Sequence, residues 1–462
     1  MTWKSMAYIQ GQRLLGSSIG ESLNEFYQAE RFPASRLLEL QQNRITEELK
    51  RAAKNIPYYC ARVSNVDGLG SFPVLRKSDI RENFLDLMDP QTREEYQGRK
   101  RRERYSWLPV QTGGSTGVPT TVVHGPLYRD RGRAGRLYSR HLCGFPLGTP
   151  FFRLWGSMKE INESKETFLH RAQSYLTDEI VVNAFRMEDA QVRQYIDLIN
   201  SSSVDHMMAY VDAAVHMARF IEKTNTRVKP LKSIMACAGT VTPDVEEILS
   251  RVFQCNVHNQ YGSRDCSGIA CSCERGGMHI YSNVLAVEVV GEDDRALPVG
   301  QTGRVLVTLL GNYEFPMIRY EIGDVGALSA ETCPCGRPFP LLKSIEGRSV
   351  EFLVSTEGGY VSPVYIRHLI GVVHNPGVIR RFQLVQQTEV AFELRLELES
   401  GVANEAKQSA LSLVRRDLRT VLGERSELNI VEMDEIPLSG SGKFLYTINL
   451  RPPAAIGSQV AT

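Results

Sequence analysis

The residues best able to do chemistry in this 462-residue chain are its cysteines, two short acidic motifs and two glycine-rich stretches. The nine cysteines are Cys60, Cys143, Cys237, Cys255, Cys266, Cys271, Cys273, Cys333 and Cys335. An odd, unevenly clustered set argues against a disulfide framework and toward metal binding or burial. Cys271-Ser272-Cys273 precedes His279, and Cys333-Pro334-Cys335-Gly336 follows after a long gap. A Cys-x-Cys-Gly knuckle and a Cys/His pair supply the thiolate and imidazole donors that tetrahedral zinc prefers. The ligand set read here is Cys273, His279, Cys333 and Cys335, with Cys271 or Cys266 as substitute for Cys273. Four protein donors leave no open coordination position, so this zinc would be structural; the alternative is reduced thiols on turns. Gln111-Thr112-Gly113-Gly114-Ser115-Thr116-Gly117-Val118-Pro119-Thr120 combines three glycines with hydroxyl donors, the composition of a loop whose amides converge on an anion. Neither this stretch nor Gly440-Ser441-Gly442-Lys443-Phe444 has Walker spacing, and each taken alone also fits a solvated loop.

The order of the motifs says more than any one of them. After Thr112–Gly117 come Asn259-Gln260-Tyr261-Gly262-Ser263-Arg264-Asp265, Arg319-Tyr320-Glu321-Ile322-Gly323-Asp324, Glu346-Gly347-Arg348, and Pro437-Leu438-Ser439-Gly440-Ser441-Gly442-Lys443. The series resembles the adenylate-forming superfamily of acyl-CoA synthetases and adenylation domains, most of all its phenylacetate–coenzyme A ligase branch with the capsule-biosynthesis relatives. Phe72 to Ile80 is similar to the segment that precedes the phosphate loop in that branch, so the likeness runs from about Phe72 to Lys443. The same branch shows a Cys/His/Cys-x-Cys set, which strengthens the zinc reading.

The resemblance implies roles residue by residue. Thr112, Gly113, Gly114, Ser115, Thr116 and Gly117 would hold the β- and γ-phosphates of ATP. Tyr261, beside Gly262, would pack on the adenine, and Ala238, Gly239 and Thr240 would border the nucleotide and acyl pocket. Asp265 stands where the family usually has a magnesium-binding glutamate and is one methylene shorter. Asp324 would accept hydrogen bonds from the ribose hydroxyls, Arg348 would contact the ribose from below, and Lys443 would bridge substrate carboxylate and α-phosphate. Val350 replaces an acidic residue common near the interdomain hinge, which makes Glu351 the expected pivot. The implied enzyme is an AMP-forming acid–thiol ligase using ATP, Mg2+ and coenzyme A, with an aryl or arylacetic acid as substrate. Transfer to a carrier protein or an amine, and an inactive nucleotide-binding relative, are the other readings.

These residues need a scaffold, and the periodicities describe one. Leu37 to Ile56 has helical spacing closed by Pro57. Strands at 205–209, 233–238 and 255–258 alternate with helices at 211–223 and 243–253, the pattern of parallel βαβ units. Strands follow at 285–290 and 304–310. After Arg348 the texture changes to strands at 379–387 and 390–397, a helix at 403–422 ended by Gly423, and a strand at 428–432. The expected fold class is α/β. A large N-terminal domain, 1–347, has mixed and parallel sheets flanked by helices; a small mobile α+β domain, 348–452, carries Lys443; 453–462 is a tail. Lys+Arg 54 against Asp+Glu 53 leaves a formal charge of +1, which gives no electrostatic basis for nucleic-acid binding, and a zinc knuckle in such a module is correspondingly disfavoured. No apolar run is long enough to span a membrane, so no membrane partner and a cytoplasmic location are expected; the oligomeric state is left open.

Overall fold

The computed structural model describes residues 2–99, 105–111, 120–155, 175–184, 189–239, 241–348, 353–356, 360–361, 366, 369–370, 378–399, 401–437 and 445–451. Within them the chain forms two compact units, one reaching Ile345 and the other starting at Glu346.

The first unit is built on an eleven-stranded sheet, with a two-stranded hairpin of β1 (Leu108–Gln111) and β2 (Thr121–His124) beside it in sequence. The strands are β3 (Phe151–Trp155), β4 (Glu179–Asn183), β5 (His206–Tyr210), β6 (Ser233–Cys237), β7 (Asn256–Ser263), β8 (Ser267–Ser272), β9 (Met278–Ile280), β10 (Leu285–Val290), β11 (Gly303–Leu309), β12 (Tyr320–Leu328) and β13 (Leu341–Arg348). Their order is β10-β11-β12-β13-β9-β8-β7-β6-β5-β3-β4. One half is parallel, from β7 through β6, β5 and β3 to β4. There the helices Asp189–Ser201, Val211–Thr224 and Pro243–Phe253 return the chain between strands, and β6 is buried along its whole length. A strand covered on both faces cannot alternate polar and apolar residues, hence the continuous Ser-Ile-Met-Ala-Cys run. The other half contains the antiparallel pairs β7–β8, β8–β9, β9–β13, β11–β12 and β10–β11.

The main core lies between the sheet and the helices Ile19–Ala29, Ala34–Asn55 and Pro126–Leu142, around Phe26, Tyr59, Tyr138 and Tyr281. Pro57 ends the long helix as expected, then opens a short one, Pro57–Cys60, because proline suits a first helical turn. The 72–80 segment is laced onto β12: Leu75 N–H donates to the Arg319 carbonyl, Glu321 N–H to that of Leu75, and the Arg319 guanidinium to the Phe72 carbonyl at 3.1 Å.

One buried acid makes the first unit sensitive to pH. Glu48 Oε2 accepts from the Gly311 amide at 2.9 Å, Oε1 has no hydrogen-bond partner among the described residues, and burial pushes the carboxyl up to about 7. A folded-state value above the unfolded one gives stability that is complete below the unfolded value and lost as pH rises through the folded one. Glu48→Gln should therefore gain on the wild type between about pH 4.5 and 7, by up to about 3 kcal/mol, and level off above. Denaturant melts across that range check this; parallel curves for the two proteins would refute it.

The second unit holds β14 (Leu353–Val354) paired with β15 (Tyr360–Val361), and a four-stranded sheet of β16 (Ile379–Gln386), β17 (Ala391–Leu398), β18 (Glu427–Glu432) and β19 (Thr447–Asn449) in the order β18-β17-β16-β19. The helix Asn404–Leu422 buries Ala410, Val414, Leu418 and Leu422 in the same core as Leu384, Leu394 and Leu396 of the sheet. The expected α/β class holds, with a large sheet flanked by helices and a separate smaller sheet domain.

Candidate active site

Parallel α/β sheets bind ligands beyond the carboxyl ends of their strands. Here β6 ends at Cys237 and the chain turns through Ala238, a non-glycine residue with φ of 54°, into Gly239. A Cβ on Gly239 would sit 2.8 Å from Cβ of Val211, so only glycine fits. Cys237 is in register with Gln260, which puts Tyr261 of β7 alongside this turn. Both turn residues are exposed, as a ligand border requires.

The β7–β8 hairpin carries the first acidic motif. Its register slips between Tyr261 and Gly262, and a Cβ on Gly262 would lie 2.3 Å from the Ser267 carbonyl oxygen, so the bulge depends on that glycine. Ser267 takes φ of 55°, and the tip projects Asp265 into a buried position. The tip backbone is held on several sides. Ser263 Oγ accepts from Cys266 N–H at 3.0 Å, and Tyr128 donates to the Cys266 carbonyl at 2.7 Å. His124 Nε2 lies 2.8 Å from the Asp265 carbonyl oxygen. Burial lowers the His124 pKa, which keeps the ring neutral at neutral pH, so its Nε2–H is the donor. Tyr320 O–H donates to Asp265 Oδ2.

The second acidic motif meets the first. Asp324 lies within β12, which runs from Tyr320 through Leu328, with Gly323 at φ of 90°. Tyr261 O–H donates to Asp324 Oδ2 at 2.7 Å. Burial and the adjacent carboxylate raise the Tyr261 phenol well above its ordinary value, so it stays a donor at any physiological pH. Tyr261 and Asp265, four residues apart, are thus tied by hydrogen bonds to β12, the distant strand that carries Asp324. Tyr320, His124 and Tyr128 bond to the hairpin tip without having been singled out. Tyr320 had a signal, four residues before Asp324 in a quoted motif; the other two had none.

The cysteine motifs converge separately. One ligand atom each from Cys273, His279, Cys333 and Cys335 fall within 4.8 Å of one another. Cys273 Sγ lies 3.5 Å from Cys333 Sγ, and Cys335 Sγ lies 3.2 Å from His279 Nε2. Ligands about 2.3 Å from a tetrahedral zinc stand roughly 3.8 Å apart, so the spacing suits that ion. Both cysteine turns close on glycines in the left-handed region, Gly276 at φ of 81° and Gly336 at 80°. Gly276 N–H bonds the Cys273 carbonyl and Gly336 N–H that of Cys333. A Cβ on Gly277 would come 2.5 Å from Cys333 Sγ, so the cradle is shaped around the sulfur. Arg275 N–H points at Cys273 Sγ from 3.4 Å, a donor that favours thiolate. Burial holds the His279 imidazole down to about 4, neutral as a metal ligand must be. Burial also pushes the Cys273 thiol up to about 12, an ionisation cost that a bound dication would offset. Cys271 faces Cys143 instead, with sulfurs 3.7 Å apart, and Cys266 sits in the hairpin tip, so neither joins the four.

Thr112, Gly113, Gly114, Ser115, Thr116, Gly117, Thr240, Glu351 and Lys443 lie outside the described residues; Arg348 closes β13.

Residues 353–450 match the family described as the CapK C-terminal domain. Protein CapK of Staphylococcus aureus is 22% identical over 427 residues, with 89% of each chain covered. Phenylacetate-coenzyme A ligase of Pseudomonas putida is 22% identical over 417 residues, covering 84% of this chain and 89% of the relative. The chain is thus similar to adenylate-forming proteins, the phenylacetate–coenzyme A ligases among them. The fold is similar to that of 2-hydroxyisobutyryl-CoA ligase in its postadenylation state, with a TM-score of 0.65 at 19% identity over 89% of both chains. Amide bond synthetase McbA of Marinactinospora thermotolerans follows with a TM-score of 0.51 at 15% identity, over 75% of this chain and 69% of that one. The cysteine cluster lies within the first unit. Among the described residues no helix is long and apolar enough to cross a membrane.

Proposed function

We propose that the chain activates a small carboxylic acid with ATP as an acyl adenylate and passes the acyl group to coenzyme A. The observation that carries this reading is the direct bond between Tyr261 and Asp324, two residues for which the motif order implied contact with one nucleoside. A carboxylate oriented by a phenol can accept from a ribose diol, while the tyrosine ring offers a face to the base. The substrate carboxylate is already ionised and attacks the α-phosphorus directly, so positioning and charge neutralisation dominate the first step and no general base is needed. Lys443 would neutralise the carboxylate and α-phosphate, and Thr112–Gly117 the outer phosphates. Mg2+, when bound, would draw charge off the phosphates; Asp265 is a buried hard-oxygen ligand suited to it. The Cys273, His279, Cys333 and Cys335 set would hold a structural zinc.

The branch likeness supports an aryl or arylacetic acid as substrate. A different acceptor is the second reading, favoured by the fold likeness to an amide bond synthetase. ATP–pyrophosphate exchange over a panel of carboxylic acids, then product masses with and without coenzyme A, tests both. Acid-independent or absent exchange would overturn the proposal; an acyl adenylate that ignores coenzyme A but reacts with amines would establish the second reading.

Asp324→Ala should raise KM for ATP at least tenfold with a native-like fold, since it removes a charge-assisted partner of the ribose. Tyr261→Phe should raise it several-fold, keeping the ring but not the bond. Steady-state kinetics at saturating acid separates these, and an effect confined to the acceptor step would place Asp324 elsewhere.

A further inference from the structure

Asp265 departs from the usual glutamate, and the fold contains what compensates for it. We infer that Tyr320 is a positioning residue that fixes the Asp265 carboxylate and thereby the divalent cation that accompanies ATP; this rests on the magnesium role proposed for Asp265. An aspartate is a methylene shorter than glutamate, so at the same backbone position its oxygens fall short unless the backbone is advanced and the side chain held. Here both the tip backbone and the side chain are held. The tip of the β7–β8 hairpin is anchored by His124 at the Asp265 carbonyl, by Tyr128 at the next carbonyl and by Ser263 at the Cys266 amide. Asp265 is 3% exposed, and its Oδ2 accepts a hydrogen bond from the hydroxyl of the fully buried Tyr320. An arginine there would orient the carboxylate but also neutralise it. A phenol orients it and leaves the whole negative charge for a cation. Tyr320 opens β12, the strand that also carries Asp324, so one strand orders the cation ligand through Tyr320 and offers the ribose ligand directly. The arrangement repeats that of Tyr261 on Asp324: a neutral phenol aims each carboxylate.

The test reads metal rather than turnover alone. ATP affinity is measured by calorimetry with Mg2+ and again with EDTA, and Mn2+ binding to the protein–ATP complex by electron paramagnetic resonance. Tyr320→Phe is expected to weaken Mn2+ binding and the Mg2+-dependent part of ATP affinity by roughly tenfold, with the EDTA affinity unchanged. Asp265→Asn should lose most of the same part, and adding Tyr320→Phe to it should cost nothing further. An additive double variant, or a Tyr320→Phe protein with full cation dependence where Asp265→Asn has lost it, overturns the inference alone. An Asp265→Asn protein with normal cation dependence overturns instead the magnesium role beneath it. If Tyr320→Phe does not fold, 3-fluorotyrosine at position 320 gives the same answer in an otherwise native chain. Its fluorine resonance should broaden when Mn2+–ATP binds; an unbroadened resonance places the cation elsewhere and overturns the inference.

Discussion

Lys443→Ala is expected to lower acid-dependent pyrophosphate exchange by two to three decades while a supplied acyl adenylate still reacts with the acceptor. The lysine stands in Pro437-Leu438-Ser439-Gly440-Ser441-Gly442-Lys443, where the family resemblance puts the cation that bridges the acid and the α-phosphate. In the ground state these two anions repel; in the transition state their charges merge at the α-phosphorus. A cation fixed between them gains most at that point, and loss of one such contact costs roughly 2.7–4 kcal/mol. The thioester-forming step begins after pyrophosphate has left and does not need the bridge. The split between the two half-reactions is therefore the informative readout. Equal loss in both would indicate a damaged domain, and unchanged exchange would remove Lys443 from the chemistry.

The second large effect concerns stability. Protein purified without chelator should contain about one zinc per chain, and Cys335→Ser should lose it together with several degrees of Tm. The cluster joins the Cys273 turn to Cys333 sixty residues later, so the metal closes a long loop of the unfolded chain. Chain entropy alone values such a closure at about 4 kcal/mol, which for a unit of this size is a fall in Tm of roughly 5–10 °C. With all four donors from protein, a bound zinc would have no open position, and nucleotide binding by protein that remains folded should survive its removal. Cys60 and Cys143 lie outside the cluster, so Cys60→Ser should keep the metal and the Tm; Cys143→Ser, at a buried site, should keep the metal. Elemental analysis with thermal melts decides the matter, and absence of stoichiometric zinc would end it.

Much of this was legible in the residues themselves, and where it was not the reason is physical. The helices at 211–224 and 243–253 and the strands β5, β6 and β10 fell within a residue or two of their expected bounds, because hydrophobic period, an opening proline and short apolar runs are local properties. The order of the motifs and the Cys/His spacing likewise belong to the linear chain, and with them the superfamily and the four candidate ligands. Three things were decided only by folding. The choice of Cys273 over Cys271 depends on strand alternation: in a pleat Cys271 and Cys273 share a face, but β8 ends at Ser272 and the turn redirects Cys273 toward Cys333, leaving Cys271 against Cys143. The place of Asp324 inside β12 follows from pairing with β11 on either side of it, at 320–321 and 325–326, a partner that Gly323-Asp324 does not reveal locally. The Tyr320–Asp265 and Tyr261–Asp324 bonds join residues 55 and 63 positions apart. No local propensity encodes such contacts; they exist because the sheet brings β7, β8 and β12 to one end of the fold, and burial there makes each phenol and carboxylate find the other.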